Sequence, residues 1–147
     1  LLNALSTCGS AVAFDPNYRP SLWEDRFKAL HWIQSFAEIS SFLLTSVEDD
    51  RQLMGLESPE QSRTYWSRVT TGELIIKNGV HPVMIVPQTD KKLTEAISVP
   101  VIAESQPVDT TGAGDAFNGA YLIKRMMGTD PTASARAPLQ HRKNPYS

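Results

Sequence analysis

Two glycines and an aspartate, Gly112, Gly114 and Asp115, stand just before a stretch with helical spacing. Glycine lets the backbone turn so that successive N–H groups point into one concavity, and a helix N-terminus adds about half a positive charge there. These residues predict an anion site with a carboxylate beside it. Transfer of a phosphoryl group to a hydroxyl needs both features, because a base must accept the hydroxyl proton. A glycine turn that only caps a helix is the alternative.

Other kinds of anion-binding or catalytic motif do not fit the sequence. No Gly-Lys-Ser/Thr follows the glycines, which excludes a Walker loop, and Phe117 stands where a dinucleotide fingerprint needs its third glycine. His31, His81 and His141 are too far apart for a metal-binding box, and no Gly-x-Ser-x-Gly elbow indicates a hydrolase. Phosphoryl transfer is therefore the chemistry that these residues favour.

Residues 109–122 read DTTGAGDAFNGAYL, which resembles the C-terminal signature of the ribokinase-like, or PfkB, family of carbohydrate kinases. The resemblance implies Asp115 as the catalytic base and the backbone amides of Gly112, Ala113 and Gly114 as the hole for phosphoryl charge. It also implies ATP and Mg²⁺ as cofactors, and part of a three-layer α/β/α sandwich of the ribokinase-like type with a mostly parallel sheet.

Residues 14–23, FDPNYRPSLW, are similar to the corresponding segment of the family's 2-keto-3-deoxygluconate kinases. By this resemblance Asn17 and Arg19 lie near the substrate, together with Asp115. The planar fork of arginine matches a carboxylate, which a sugar acid carries and a neutral hexose lacks. The alternatives are a turn with a solvated Arg19, or a kinase for a neutral sugar such as fructose or ribose.

Residues 44–50 fall where many family members have Asn-x-x-Glu, which helps to organise magnesium and phosphate, but this chain has Ser46 and Asp49 instead. The resemblance therefore points to Ser46 near the nucleotide. Mg²⁺ retains water readily, so Asp49 or Glu48 is expected to act on it through water. Ser-x-x-Asp is also a helix-cap arrangement, and both roles are compatible.

Lys77 and Gly79 resemble the family's Lys-x-Gly at a strand end near the nucleotide. The resemblance implies that both residues contribute to nucleotide binding. The alternative is an ordinary hairpin turn with an exposed lysine, since Asn78-Gly79 is a turn dipeptide.

Short apolar runs and helix-capping residues alternate along the rest of the chain. The runs cover residues 11–14, 42–44, 73–77, 83–86 and 99–102, the last as an irregular or edge strand because it contains Pro100. The predicted helices run from Ser21 to about Phe36, from Ser46 to Met54, from Ser58 to about Val69, and from Gly114 to Met127. This alternation favours a layered α/β domain with a largely parallel sheet.

The first of these helices is predicted from a capping box formed by Ser21 and Glu24. An apolar stripe with helical spacing is then expected to face the core. Its members are Trp23, Phe27, Leu30 and Ile33.

Composition indicates one ordinary globular domain, with 147 residues, 41% hydrophobic and 20% charged. The net charge is -2 and the basic residues are scattered, so nucleic acid is not an expected partner. A single cysteine, Cys8, excludes an intramolecular disulfide and fits a reducing compartment such as the cytoplasm. No apolar run is long enough for a membrane span, so no membrane partner is expected.

The resemblance divides the chain into residues 1–136, the C-terminal part of a ribokinase-like kinase domain, and a polar tail, 137–147, that is expected to be disordered. The chain does not begin with Met, and the resemblance covers only the C-terminal half of such kinases. Two hypotheses follow: a sugar or sugar-acid kinase, with a homo-oligomer possible for the full-length enzyme, or a catalytically silent fragment that binds phosphate or nucleotide weakly.

Overall fold

The computed structural model describes residues 1–7, 9–89, 92–100 and 112–136, with the backbone alone at 92–93. The predictions for residues 101–102, 109–111 and 137–147 lie outside the described residues. The described helices are α1 (Leu2–Thr7), α2 (Arg26–Ile39), α3 (Val47–Met54), α4 (Pro59–Trp66), α5 (Ala113–Met126) and α6 (Pro131–Ala135), with a 3-10 helix at Pro20–Leu22. The described strands are β1 (Ala13–Phe14), β2 (Phe42–Ser46), β3 (Glu73–Lys77), β4 (Val83–Val86), β5 (Gln88–Thr89), β6 (Lys92–Leu93) and β7 (Ile97–Val99).

A five-stranded sheet lies at the centre of the described chain, with the strand order β1-β2-β3-β4-β7. β1, β2 and β3 are parallel neighbours, whereas β4 is antiparallel to both β3 and β7. Since β7 therefore has the direction of β3, only β4 runs against the other strands of this sheet. This confirms the predicted α/β class with a mostly parallel sheet. β5 and β6 form a separate antiparallel pair.

The core has two apolar clusters, one on each face of the sheet. Because neighbouring residues of a strand point to opposite faces, Leu43 and Leu44 of β2 belong to different clusters. The first cluster joins the sheet to residues of α2, α3 and α4, and the second joins it to residues of α5 and α6. The described chain thus has the predicted three layers, and its central strands are buried on both faces, as is typical of parallel sheets.

Several element boundaries agree with the local signals in the sequence. β3 and β4 occupy the predicted residues, 73–77 and 83–86. The Ser58 side chain caps α4 by accepting a hydrogen bond from the Gln61 N–H at 3.2 Å. Gly55 ends α3 in the left-handed conformation with φ +74°. The edge strand predicted at residues 99–102 is displaced, because β7 covers Ile97–Val99 and shares only Val99 with the predicted run.

The predicted start of the first long helix at Ser21 is wrong. Pro20–Leu22 forms a 3-10 helix, and Trp23 is extended at φ -120° and ψ 141°, which interrupts any helix from Ser21. α2 begins instead after Asp25, whose carboxylate accepts a hydrogen bond from the Lys28 N–H at 2.8 Å. Asp25 therefore caps this helix in place of Ser21, since aspartate is as good an N-cap as serine.

The predicted apolar stripe is confirmed at three of its four positions, because Ile33 is buried and Trp23 and Leu30 pack against the same core cluster. Phe27 is 74% exposed, although its position in the stripe was expected to face the core. The fully buried positions of the helix are Ala29, Ile33 and Ala37. These three residues belong to the core cluster that also contains Leu43 and Leu74 of the sheet.

Candidate active site at the carboxyl edge of the sheet

Three parallel neighbours of the sheet end beside one another. Asp15 directly follows β1, Ser46 is the last residue of β2 and Lys77 is the last residue of β3. In open α/β sheets, ligands bind at the carboxyl ends of the strands. The polar residues at this edge therefore define the candidate site.

Asp15 is the centre of a hydrogen-bonded cluster at this edge. Its Oδ2 accepts a hydrogen bond from Lys77 Nζ at 2.6 Å and another from Asn118 Nδ2 of α5. Its Oδ1 accepts a hydrogen bond from the Asn17 N–H at 3.0 Å. The Lys77 and Asp15 side chains are only 15% and 21% exposed, so their ion pair is screened less by solvent than a surface pair.

The N-terminus of α5, residues 112–115, lies beside Lys77 and is called the helix mouth below. Gly112 precedes the helix at φ +94°, a conformation that favours glycine, and it has no side chain that could cap the helix. The first helical hydrogen bond runs from the Ala116 N–H to the Gly112 O at 2.9 Å, so the amides of residues 113–115 are not used by the helix. A Cβ atom on Gly114 would lie 3.9 Å from Lys77 Nζ, which places the ammonium at the helix mouth.

Asp115 lies in the first turn of α5 and is exposed to solvent. Its carboxylate forms no hydrogen bond or ion pair with the residues that the structure describes. A carboxylate in this state is accessible to a hydroxyl that approaches the helix mouth. The side chain is not turned into the protein interior.

Ser46 and Asp49 connect the end of β2 to α3. The Ser46 Oγ accepts a hydrogen bond from the Asp49 N–H at 3.0 Å, which confirms the helix-cap role of Ser46. Burial raises the pKa of Asp49 above its ordinary value and the charge of Asp15 adds to this, while a hydrogen bond with Ser46 and the charge of Lys77 oppose it. Asp49 is therefore within electrostatic reach of the Asp15–Lys77 pair.

The described residues do not form a metal site whose ligands are all protein side chains. Among the described residues, no group of three His, Cys, Asp or Glu side chains is arranged to hold a metal ion. Half-buried Asp49 fits a single carboxylate that contacts Mg²⁺ directly or through water, the manner in which Mg²⁺ is usually bound beside phosphates.

The opposite end of α5 is attached to the start of β3 through Glu73, whose side chain is 3% exposed. Arg125 donates to both oxygens of Glu73, from Nε to Oε1 at 2.9 Å and from Nη2 to Oε2 at 2.8 Å. The Tyr121 hydroxyl donates to Oε1 at 2.7 Å, and burial, followed by the hydrogen bond and charge of Glu73, raises the Tyr121 pKa. β3 thus contacts α5 through Glu73 at one end and lies near Gly114 through Lys77 at the other.

A profile described as the pfkB family carbohydrate kinase matches residues 1–139. The chain belongs to the pfkB family. The 2-dehydro-3-deoxygluconokinase of Dickeya dadantii (strain 3937) is 31% identical over 143 residues, which cover 92% of this chain and 44% of that protein. The fructokinase of Salmonella thompson is 31% identical over 139 residues, or 90% of this chain and 59% of that protein. The chain thus spans less than half the length of the first of these relatives.

Among solved structures, the putative ribokinase II from E. coli in complex with ATP and Mg²⁺ has a TM-score of 0.71 and 23% sequence identity. The match covers 91% of this chain and 41% of that one. This similarity confirms the ribokinase-like fold. In the described part of the chain, no helix has both the length and the hydropathy to cross a bilayer.

The pfkB-family fold brings some of the predicted site residues together and leaves others apart. Lys77 contacts Asp15, Gly114 lies near the Lys77 ammonium, and the charges of Asp15 and Lys77 reach Asp49. Asn17, at φ +39°, joins Asp15 through its backbone N–H. The alternative of a hairpin with an exposed lysine is right about the hairpin, since β3 and β4 are antiparallel neighbours, but wrong about the lysine, because Lys77 is largely buried. Arg19, Gly79 and Asp115 are exposed and, within the described residues, make no hydrogen bond to the cluster.

Sequence reasoning missed Asp15, Asn118 and the Glu73 network. Asn118 follows Gly114 by four residues, and residues with this spacing lie on one face of a helix. The spacing therefore predicts that Asn118 lies near the start of α5. The contact of Asn118 with Asp15 spans 103 residues, and no local pattern indicates it. Arg125 is a basic residue in the last turn of α5, and its contact with Glu73 spans 52 residues, so no local pattern indicates it either.

Proposed function

We propose that the chain carries the phosphoryl-transfer site of an ATP-dependent kinase that phosphorylates a hydroxyl of a sugar acid, 2-keto-3-deoxygluconate being the preferred substrate. The observation that carries the proposal is the Lys77 ammonium, largely buried and held beside the glycine mouth of α5. A helix N-terminus and a cation together favour the charge of a transferring phosphoryl group. Exposed Asp115 stands in the same helical turn.

In the proposed reaction, the hydroxyl oxygen of the sugar bonds to the γ-phosphorus of ATP while the bond from that phosphorus to the ADP oxygen breaks. Asp115 accepts the hydroxyl proton. A carboxylate is too weak a base to ionise an alcohol beforehand, so the proton transfers late, as a loose transition state allows. The amides of Gly112, Ala113 and Gly114 form the hole for the phosphoryl oxygens, and Lys77 adds a positive charge there.

The remaining nucleotide and metal roles follow the family resemblance. Ser46 and Gly79, at the ends of β2 and β3, contribute to nucleotide binding beside Lys77. Asp49 would hold Mg²⁺, directly or through water. The ion neutralises phosphate charge when it is bound. The structural neighbour that was solved with ATP and Mg²⁺ supports this assignment, although at 23% identity its similarity to this chain is one of fold.

The substrate proposal combines the 2-dehydro-3-deoxygluconokinase relative with the segment that follows β1. Arg19 pairs with the sugar-acid carboxylate, and Asn17 lies beside it. Both residues are exposed and lie in the segment that follows β1. A neutral sugar is the second candidate, and the fructokinase relative at 31% identity supports it.

A coupled assay of ADP release tests the proposal with 2-keto-3-deoxygluconate, fructose and ribose as acceptors. We expect the highest kcat/KM with the sugar acid. Asp115→Asn should lower kcat by about 10²–10⁴-fold, the usual contribution of a general base, with ATP affinity little changed. Glu60→Gln is the matched control, because Glu60 is an exposed acid in the first turn of α4.

Each outcome of this assay has a distinct meaning. Turnover by Asp115→Asn within a few-fold of wild type contradicts the assignment of the base. A preference for fructose replaces the sugar acid with the second candidate. Silence of the wild-type chain with every sugar contradicts the kinase proposal for this chain and favours a phosphate-binding fragment.

A further inference from the structure

We propose that Asp15 is a positioning residue which, with Asn118, holds the Lys77 ammonium at the phosphoryl site. This inference rests on the proposed function, which makes the mouth of α5 the phosphoryl site. Neither Asp15 nor Asn118 needs to touch a substrate for this role. Both act through the position of Lys77.

The hydrogen bonds of Asp15 fix the carboxylate from three directions. Asn118 and Lys77 donate to Oδ2, and the Asn17 N–H donates to Oδ1, so donors from α5, β3 and the segment after β1 converge on one group. A lysine side chain has four rotatable bonds, and an exposed one samples many rotamers. Lys77 is instead only 15% exposed and 2.6 Å from a carboxylate that is itself immobilised. The position of its ammonium is therefore determined by Asp15.

The geometry also leaves the ammonium available to an anion. An ammonium group has three N–H donors, and among the described residues Lys77 uses one of them, on Asp15. The missing side chain of Gly114 keeps the approach from the helix mouth open, because a methyl group there would lie 3.9 Å from Nζ. Two donors remain for phosphoryl oxygens.

The positioning role and a purely electrostatic role of Asp15 predict opposite changes in ATP affinity when its charge is removed. Asp15 places a negative charge close to an anion site, and a like charge repels the ligand. If Asp15 contributed only its charge, Asp15→Asn would tighten ATP binding. If Asp15 positions Lys77, the same change releases the ammonium and weakens binding.

Calorimetric titration with ATP and Mg²⁺ distinguishes the two cases in the wild-type chain, Asp15→Asn, Lys77→Met and the double variant. We expect each single change to raise the Kd by about tenfold, a modest value for loss of a close charge contact. In the Lys77→Met background, Asp15→Asn should no longer weaken binding and should instead tighten it. The exposed pair of Lys28 and Glu24 supplies matched controls, Lys28→Met and Glu24→Gln, which should leave the Kd within about twofold.

Tighter binding by Asp15→Asn, or weakening that is additive with Lys77→Met, overturns the positioning role. If circular dichroism shows that Asp15→Asn is unfolded, Asn118→Ala serves instead, because it removes one donor to Asp15 with no change in net charge. It should raise the Kd severalfold, and an unchanged Kd overturns the role. If the wild-type chain binds no ATP, the proposed function itself fails, a result distinct from binding that Asp15→Asn improves.

Discussion

Lys77 and Lys28 both pair with a carboxylate, but their surroundings differ. The Lys28 side chain is 61% exposed in its pair with Glu24, whereas that of Lys77 is 15% exposed in its pair with Asp15. Exposed pairs contribute only about 0–1 kcal/mol to stability, because water and salt screen them. Lys77 therefore differs from Lys28 in two ways: its ion pair is largely buried, and the partner carboxylate of Asp15 also accepts a hydrogen bond from Asn118. These two differences assign Lys77 to the candidate site.

The glycines of α5 offer a matched pair of substitutions. Gly114→Ala and Gly119→Ala should each stabilise the chain by about 0.5–1 kcal/mol, since alanine loses less backbone entropy in a helix. A methyl group at Gly114 would also contact the Lys77 ammonium, at 3.9 Å, and take up space beside it, whereas one at Gly119 has no atom within 4 Å. ATP affinity should therefore fall in Gly114→Ala alone. Equal affinities in the two variants, measured by titration beside thermal unfolding, would contradict the open approach to Lys77.

The raised pKa of Asp49 predicts a pH dependence of stability. The folded chain binds this proton more tightly than the unfolded chain, so the free energy of unfolding falls as pH rises from the ordinary value of 3.8 through the raised pKa. Asp49→Asn should therefore be more stable than wild type at pH 7, with the difference shrinking below pH 3.8. Urea unfolding at several pH values measures it, with exposed Glu38→Gln as the control. A difference independent of pH would contradict burial as the cause.

Local signals determine the elements that sequence reasoning predicted well. Caps and a left-handed glycine define α3 and α4, and continuous apolar runs between turns define β3 and β4. The start of α2 was missed because the prediction gave Ser21 the cap that Asp25 provides. The contacts that hold α5 to β3 were missed because they join residues far apart, 52 positions in the case of Arg125 and Glu73.

The attachment of α5 to β3 predicts a large loss of stability when one partner is removed. Arg125→Met leaves the carboxylate of Glu73 buried without its charged partner, and breaking such a pair costs about 3 kcal/mol or more. The double variant Glu73→Leu/Arg125→Met should lose less, because no uncompensated charge remains. Urea unfolding gives both values. A double variant less stable than Arg125→Met would contradict the buried charge as the cause.

At the scale of the whole chain, the fold assembles a site from residues that are distant in sequence. The parallel strands place Asp15 and Lys77 at one edge, and α5 brings Gly114 and Asn118 to them. The glycine motif and Lys77 were predictable because they are local patterns. The cluster around Asp15 was not, because it exists only once the sheet has formed.

The most direct test of the central claim is amide chemical-shift mapping by NMR as ATP and Mg²⁺ are added to the ¹⁵N-labelled chain. Helix-mouth amides that bind phosphoryl oxygens experience the largest change in environment. The account predicts the largest shifts at residues 112–115, with Lys77 and Asp15 also affected. Saturable shifts confined to residues away from α5 and the carboxyl edge of the sheet would contradict it.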